Sequence, residues 1–151
     1  MVKELDEVKR LCSKEGKDYR ENLAGLIKHE HEIDSKKLFS IIGPYANSYL
    51  NAFRQYSSKD LGNKVELIKS WVNYMIKGEA NPLHTHDGDL SFVLFTEIPK
   101  DLLKEYKNHI GNTKPGAISF VYTLEDRKTL VNEHSFLRAR FLFFQPAYTI
   151  M

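Results

Sequence analysis

Apolar side chains recur at helical spacing through the first third of the chain. Residues 2–14 place them three or four positions apart, and Gly16 follows where a helix can close with a left-handed residue. The apolar positions of this first predicted helix are Leu5, Val8, Leu11 and Cys12. A second helix is expected from a cap at Asp34 to a break at Pro44, because proline removes a backbone hydrogen bond. The pattern therefore predicts a mainly helical segment over residues 1–60.

Strand spacing takes over from Val65, where β-branched and aromatic residues become frequent. The predicted strands are VELIKSWVNYMI (65–76), LSFVLFTEI (90–98), AISFVYT (117–123) and RFLFF (140–144). Residues 99–108 read as a short helix or turn opened by Pro99. Helices followed by strands predict an α+β fold. We expect one domain over residues 1–151, with a β-rich barrel over residues 64–151.

The composition is typical of a folded protein and favours neither a membrane nor nucleic acid as a partner. Hydrophobic residues make up 42% of the chain and charged residues 28%. No apolar run approaches the roughly 20 residues of a membrane span, and MVKELDEVKR lacks the apolar stretch of a signal peptide. The expected location is therefore cytoplasmic. A net charge of +2 leaves no dense basic stripe to neutralise phosphates, so nucleic acid is not favoured.

The segment NPLHTHDGDLSF carries the candidate chemistry. Residues two apart on a strand share a face, so His84 and His86 can present two imidazoles to one metal ion. A ferrous site commonly adds one carboxylate to two histidines, and Asp87 or Asp89 can supply it. Asp89 is favoured, because Gly88 permits a turn that brings it back toward the histidines. The alternative is a pair of loop histidines followed by a simple turn.

A second cluster, His29-Glu30-His31-Glu32, also alternates imidazole and carboxylate. It lies in the segment that the pattern predicts to be helix-rich. Residues two apart on a helix do not share a face. This cluster is therefore interpreted as a solvated surface and not as a metal site.

With the preceding WVNYMIKGEA, the segment NPLHTHDGDLSFVLF resembles the iron(II)- and 2-oxoglutarate-dependent oxygenases. The likeness is to the small hydroxylase-like proteins of phage and marine microbial genomes. LAGLIKHEHEID near the N-terminus and FLFFQPAY near the C-terminus are similar to the same group. The resemblance thus runs along most of the chain, with its specific residues concentrated at the histidine pair.

The resemblance implies a double-stranded β-helix, or jelly-roll barrel, with the N-terminal helices packed on it. It implies Fe(II) and 2-oxoglutarate as cofactors, with His84, His86 and Asp89 as the metal ligands. Asn73 and Tyr74 match positions that line the cosubstrate pocket in the family. Barrel packing, with the amide and the hydroxyl satisfied locally, is the alternative role for these two residues.

The family pattern departs from this sequence at the C-terminus. A distal His and then an Arg or Lys, which anchors the cosubstrate, follow the strand that FLFFQPAY resembles, and neither has a counterpart before Met151. A truncation or frameshift is the expected explanation. The barrel would then be incomplete, and its open sheet edge predicts self-association into a homo-oligomer.

Three functions are compatible with these residues. The first is a 2-oxoglutarate- and Fe(II)-dependent dioxygenase or hydroxylase that acts on an unknown substrate, with the small-molecule cosubstrate as its partner. The second is a catalytically inactive jelly-roll remnant that binds metal or a protein partner. The third is a cupin-like metal-binding protein, because Gly78 stands six residues before His84.

Overall fold

The computed structural model describes residues 2–23, 25–56, 62, 64–111, 114–123, 129–134, 141–144 and 149–150. Its helices are α1 (Val2–Cys12), α2 (Ser35–Tyr56) and α3 (Lys100–Asn108). Its strands are β1 (Glu30–Glu32), β2 (Trp71–Asn73), β3 (Ser91–Leu94), β4 (Ile118–Thr123), β5 (Thr129–His134), β6 (Phe141–Phe144) and β7 (Thr149–Ile150). The chain divides into two compact units, Met1–Asn81 and Pro82–Met151, where the sequence pattern predicts one domain.

Helices α1 and α2 contact each other in the first unit. The buried apolar residues of this unit are Val8, Leu11, Cys12, Ile27, Ile33, Leu38, Ile42, Ala46 and Leu50. Helix α1 was predicted from three of them, and it is confirmed with its end at Cys12, shortly before Gly16. The apolar spacing of the sequence therefore locates the core of this unit.

The break expected at Pro44 is wrong, because α2 runs unbroken from Ser35 to Tyr56. Its buried positions recur every four residues on both sides of the proline: Leu38, Ile42, Ala46 and Leu50. A proline inside a helix costs about 3 kcal/mol, whereas each buried leucine or isoleucine stabilises by about 2 kcal/mol. The continuous apolar stripe outweighs the lost hydrogen bond. In addition, the Ser48 hydroxyl donates to the Pro44 carbonyl over 2.9 Å.

Strand β1 lies where the sequence pattern predicted helix, and that prediction is wrong for the His29–Glu32 cluster. Strand β1 pairs antiparallel with β2, with Glu30 opposite Asn73. On its other side, Tyr19 N–H donates to the Glu30 carbonyl over 3.2 Å, and Glu32 N–H donates to the Lys17 carbonyl over 2.8 Å. The backbone of β1 is therefore paired on both sides, and this long-range pairing overrides the local pattern.

Strand β2 is much shorter than the strand predicted over residues 65–76. Only Trp71–Asn73 forms regular structure, and residues 64–70 have no assigned helix or strand. Ser70 ends this segment and is buried, with its hydroxyl donating to the Ile33 carbonyl over 3.2 Å. The side chain thus fixes the entry of β2 beside the end of β1.

The second unit contains the remaining strands, all of them paired antiparallel. Strand β3 pairs with β6, with Ser91 opposite Phe144, while β4 lies between β5 and β7. The strands predicted over residues 90–98, 117–123 and 140–144 are confirmed at their centres as β3, β4 and β6. The helix predicted after Pro99 is confirmed as α3.

The α+β fold class is confirmed, but the jelly roll is not. Three helices and small antiparallel sheets make up the described part of the chain, and no closed barrel is seen among these residues. The C-terminal segment over residues 145–148, which carries part of the family resemblance, lies outside the described residues. Among the described helices, none has the length and apolar character that a membrane crossing requires.

Candidate metal centre

His84 and His86 bring their imidazole rings together. The two Nε2 atoms lie 3.0 Å apart, with ring centroids separated by 4.8 Å and the ring planes tilted by 54°. Both residues lie in the loop that precedes β3 and are half-buried. The sequence predicted the pair on a strand, whereas both residues lie in a loop, which was the alternative; the two rings do lie together, and their role as metal ligands stays a prediction.

The Pro82 carbonyl determines which nitrogen of the His84 ring carries the hydrogen. His84 Nδ1 lies 2.7 Å from the Pro82 carbonyl oxygen, which can only accept, so Nδ1 carries the hydrogen and donates it. In the neutral ring, the lone pair is then on Nε2, which accepts a hydrogen bond from His86 Nε2 over 3.0 Å, so a shared ion would replace the hydrogen on His86 Nε2. Metal-binding histidines are commonly held in this way, with the second ring nitrogen donating to a carbonyl or carboxylate.

The surroundings keep His86 neutral. Burial lowers the pKa of His86 from its ordinary value of 6.5, because it disfavours the imidazolium ion, and the His84 ring acts in the same direction. The carboxylate of Asp87 opposes both effects. A neutral imidazole is the form that can bind a metal, so the lowered pKa of His86 favours the form that coordination requires.

The separation of the two nitrogens fits a shared metal ion. Two nitrogens that each lie about 2.1 Å from one ion, at a right angle to each other, are about 3.0 Å apart. The observed Nε2–Nε2 distance of 3.0 Å matches that arrangement. Imidazole ligands suit iron, zinc, copper and nickel, so the donor atoms are compatible with the Fe(II) that the family resemblance implies.

Asp89 is not gathered with the two histidines. Gly88 adopts a left-handed backbone with φ of +88°, so the turn expected at this glycine is present, but Asp89 is exposed. No group of three His, Cys, Asp or Glu side chains arranged for a metal occurs among the described residues. The role of Asp89 as a ligand stays a prediction, as does the choice between it and Asp87.

Asn73 and Tyr74, the residues predicted for the cosubstrate pocket, present their side chains to opposite sides of the backbone. The Tyr74 hydroxyl donates to the Cys12 carbonyl over 2.9 Å, and its ring stacks on His31 with centroids 5.7 Å apart. Asn73 lies opposite the buried Glu30. A carboxylate beside Asn73 disfavours a second anion, so the local charge does not match a dianionic cosubstrate.

The other histidine pair does not form a site of this kind. His31 Nε2 donates to the Cys12 carbonyl over 2.9 Å, so this nitrogen has no lone pair to offer a metal. His29 is exposed. That this cluster is not a metal site stays a prediction; its histidines lie on and beside a strand and not on a helix.

Glu30 is buried, although the sequence pattern predicts it to be part of a solvated surface. Neither of its carboxylate oxygens has a hydrogen-bond partner among the described residues, and the same holds for Asn73 Oδ1. The signal that could have found it is the alternation of His29-Glu30-His31-Glu32 between the apolar residues Ile27 and Ile33. That alternation has the period of a strand with one covered face.

Comparison of the chain with protein-family models, with curated proteins and with solved structures finds no match.

Proposed function

We propose that this protein binds Fe(II) through His84 and His86 and acts as a 2-oxoglutarate-dependent dioxygenase or hydroxylase. The observation that carries the metal site is the 3.0 Å separation of the two Nε2 atoms, with the His84 tautomer held by Pro82. The resemblance of the surrounding sequence to the oxygenases carries the choice of reaction. The substrate that is oxidised is not specified by these residues, because substrate choice depends on the loops around a site.

Each residue of the pair has a defined task in this proposal. His84 and His86 would hold the ion through their Nε2 atoms once the hydrogen between these atoms is displaced, and the Pro82 carbonyl orients the His84 ring. The lowered pKa of His86 keeps its ring neutral and available for binding. When bound, ferrous iron and 2-oxoglutarate supply the oxidation of a C–H bond by dioxygen, with 2-oxoglutarate converted to succinate and carbon dioxide.

A catalytically inactive metal-binding module is the second candidate. It is favoured by one observation, namely that no third His, Cys, Asp or Glu joins the histidine pair among the described residues. A two-ligand site holds its ion less firmly and orients it less strictly than a three-ligand site. Such a site can bind a metal without supporting turnover.

Succinate formation separates these two functions. The full chain is loaded with Fe(II) without oxygen and then given 2-oxoglutarate and air, and succinate is measured against time. We expect succinate from the wild type and from His29→Ala, and none above background from His84→Ala. Retention of metal without any succinate would reject the oxygenase and leave the metal-binding module. Equal succinate from His84→Ala would reject the assignment of the site.

A further inference from the structure

Apart from the histidine pair, a group of buried polar atoms lies on one face of the β1–β2 pair. Glu30 and Asn73 are directly opposite each other, so their side chains project from the same face. Tyr74 N–H donates to the His29 carbonyl over 2.9 Å, which makes positions 29 and 74 a hydrogen-bonded pair. Because the two kinds of pair alternate, Glu30 and Asn73 form a non-hydrogen-bonded pair, the kind in which side chains approach most closely.

Three oxygen atoms on this face are buried and unpaired. Glu30 is only 3% exposed, and its Oε1 and Oε2 have no hydrogen-bond partner in the described part of the chain. Asn73 Oδ1 is buried and unpaired within the same limits. Buried polar groups are nearly always hydrogen-bonded or bound to an ion, so a set of three acceptors without a donor requires an explanation.

Two aromatic rings lie on the same face as these oxygens. Asp18 and His31 form an isolated antiparallel β-bridge, so Tyr19 lies directly opposite Glu30 on the neighbouring segment. Trp71 is two residues from Asn73 on β2 and therefore projects to the same side. The rings of Tyr19 and Trp71 stack with centroids 5.5 Å apart and an angle of 20° between their planes. The buried oxygens and the stacked rings therefore share one face of the β1–β2 pair.

The surrounding charges add to the negative potential. Burial raises the pKa of Glu30 most strongly, the carboxylates of Glu79 and Asp18 raise it further, and Arg20 opposes them. Arg20, however, is ion-paired with Asp18 through Nη2 and Oδ2 at 2.5 Å. Among the described residues, no salt bridge reaches Glu30 itself.

We propose that Glu30 and Asn73 bind a hard divalent cation, with calcium as its best representative. All three unpaired atoms are oxygens, and carboxylate and amide oxygens are the ligands that calcium prefers. A proton on Glu30 would allow one hydrogen bond to Asn73 and would leave the second carboxylate oxygen unpaired. A cation, in contrast, interacts favourably with all three. This site is chemically distinct from the imidazole pair, which suits transition metals.

Terbium luminescence tests the proposal, because terbium replaces calcium at oxygen sites and is excited by energy transfer from a nearby indole. Trp71 is the single tryptophan of the chain, and on a strand it lies about 7 Å along the backbone from Asn73. We expect tryptophan-excited terbium emission from the wild type, and its displacement by calcium. Glu30→Gln should weaken terbium binding by at least about tenfold, since even the loss of a supporting group around an ion has that effect.

Glu32→Gln is the matched control. It removes the same charge two residues along β1 from an exposed position, and it should leave terbium binding unchanged. A second variant, Asn73→Asp, replaces a neutral ligand with a charged one and should tighten terbium binding. The proposal is overturned if the wild type gives no tryptophan-excited emission, or if Glu30→Gln and Glu32→Gln bind terbium equally. Unchanged emission in His84→Ala is expected, which separates this site from the proposed iron site.

Discussion

The two His-x-His segments of this chain have the same spacing but different surroundings. At residues 84–86, His84 Nδ1 donates a hydrogen bond to the Pro82 carbonyl, so the lone pair of the His84 ring is on Nε2 and faces His86. At residues 29–31, His31 Nε2 donates a hydrogen bond to the Cys12 carbonyl, and the His31 ring packs on Tyr74. The difference is set by which backbone carbonyl each ring meets.

The comparison shows that spacing alone does not define a metal site. A histidine pair becomes a chelating pair when both lone pairs face one point, and this depends on the partner of the second ring nitrogen. At residues 29–31, the His31 ring packs on Tyr74 while His29 is exposed, and the buried Glu30 carboxylate between them has no hydrogen-bond partner among the described residues. The same His-x-His spacing therefore leads to two different proposals, a transition-metal site at residues 84–86 and an oxygen-rich site at Glu30.

Metal affinity gives the largest contrast between the two segments. His84→Ala and His86→Ala should each weaken binding of Fe(II), or of Co(II) as a stable substitute, by about 100-fold or more, because a direct ligand is lost. His29→Ala and His31→Ala should leave the affinity unchanged. Isothermal titration without oxygen measures all four variants. A similar loss in His31→Ala would mean that the strand segment also takes part in transition-metal binding.

The free energy of unfolding gives the next contrast, and it is tested at Gly16, which lies against Glu32 and His31 of β1. A Cβ added at Gly16 would collide with the Glu32 carbonyl oxygen and crowd the His31 ring. Gly16→Ala should therefore lower the free energy of unfolding by about 3 kcal/mol, as overpacking does. Urea denaturation measures this loss.

Gly78→Ala is the control for that variant. The added methyl group would meet open space there, and only the positive φ of +88° opposes it, at a cost of about 1 kcal/mol. If Gly16→Ala were no more destabilised than Gly78→Ala, the close approach of residue 16 to β1 would be contradicted.

The pH dependence of stability gives the smallest contrast. The folded-state pKa of Glu30 is raised above 4.5, so the folded state holds this proton more tightly than the unfolded state does. The resulting stabilisation is present below pH 4.5 and is lost as the pH rises through the raised pKa. In the presence of a chelator, Glu30→Gln should remove this loss and be more stable than the wild type at neutral pH.

Thermal unfolding between pH 4 and pH 8 measures the effect, with Glu32→Gln as the exposed control. Parallel stability curves for wild type and Glu30→Gln would mean that the Glu30 carboxylate is not desolvated in the folded protein.

The sequence predicts the elements whose apolar residues follow one period without interruption. Helix α1 and the strands around Phe92, Phe120 and Leu142 are found because their patterns are continuous. The local sequence at Pro44 does not predict that α2 continues through it, because this depends on the buried apolar residues that recur on both sides of the proline. Strand β1 was missed because His and Glu alternate there in place of apolar and polar residues.

The site is only partly predictable for a related reason. The sequence predicted that His84 and His86 lie together, but on a strand, whereas the structure brings their rings together in a loop. The hydrogen bond to Pro82 that fixes the His84 tautomer depends on the conformation of the loop, which the residue types do not specify. The burial of Glu30 depends on pairing with residues 17–19 and with β2, which is far along the chain; the local alternation can indicate a strand but not which of its side chains is covered.

X-ray absorption at the iron edge of the Fe(II)-loaded protein tests the central claim most directly. The scattering of imidazole rings can be counted in such a spectrum. Two imidazole ligands at about 2.1 Å, reduced to one in His84→Ala and unchanged in His31→Ala, are the predicted result. A spectrum of the wild type without imidazole scattering, or one that is unaltered in His84→Ala, would contradict the assignment of His84 and His86 as a shared metal site.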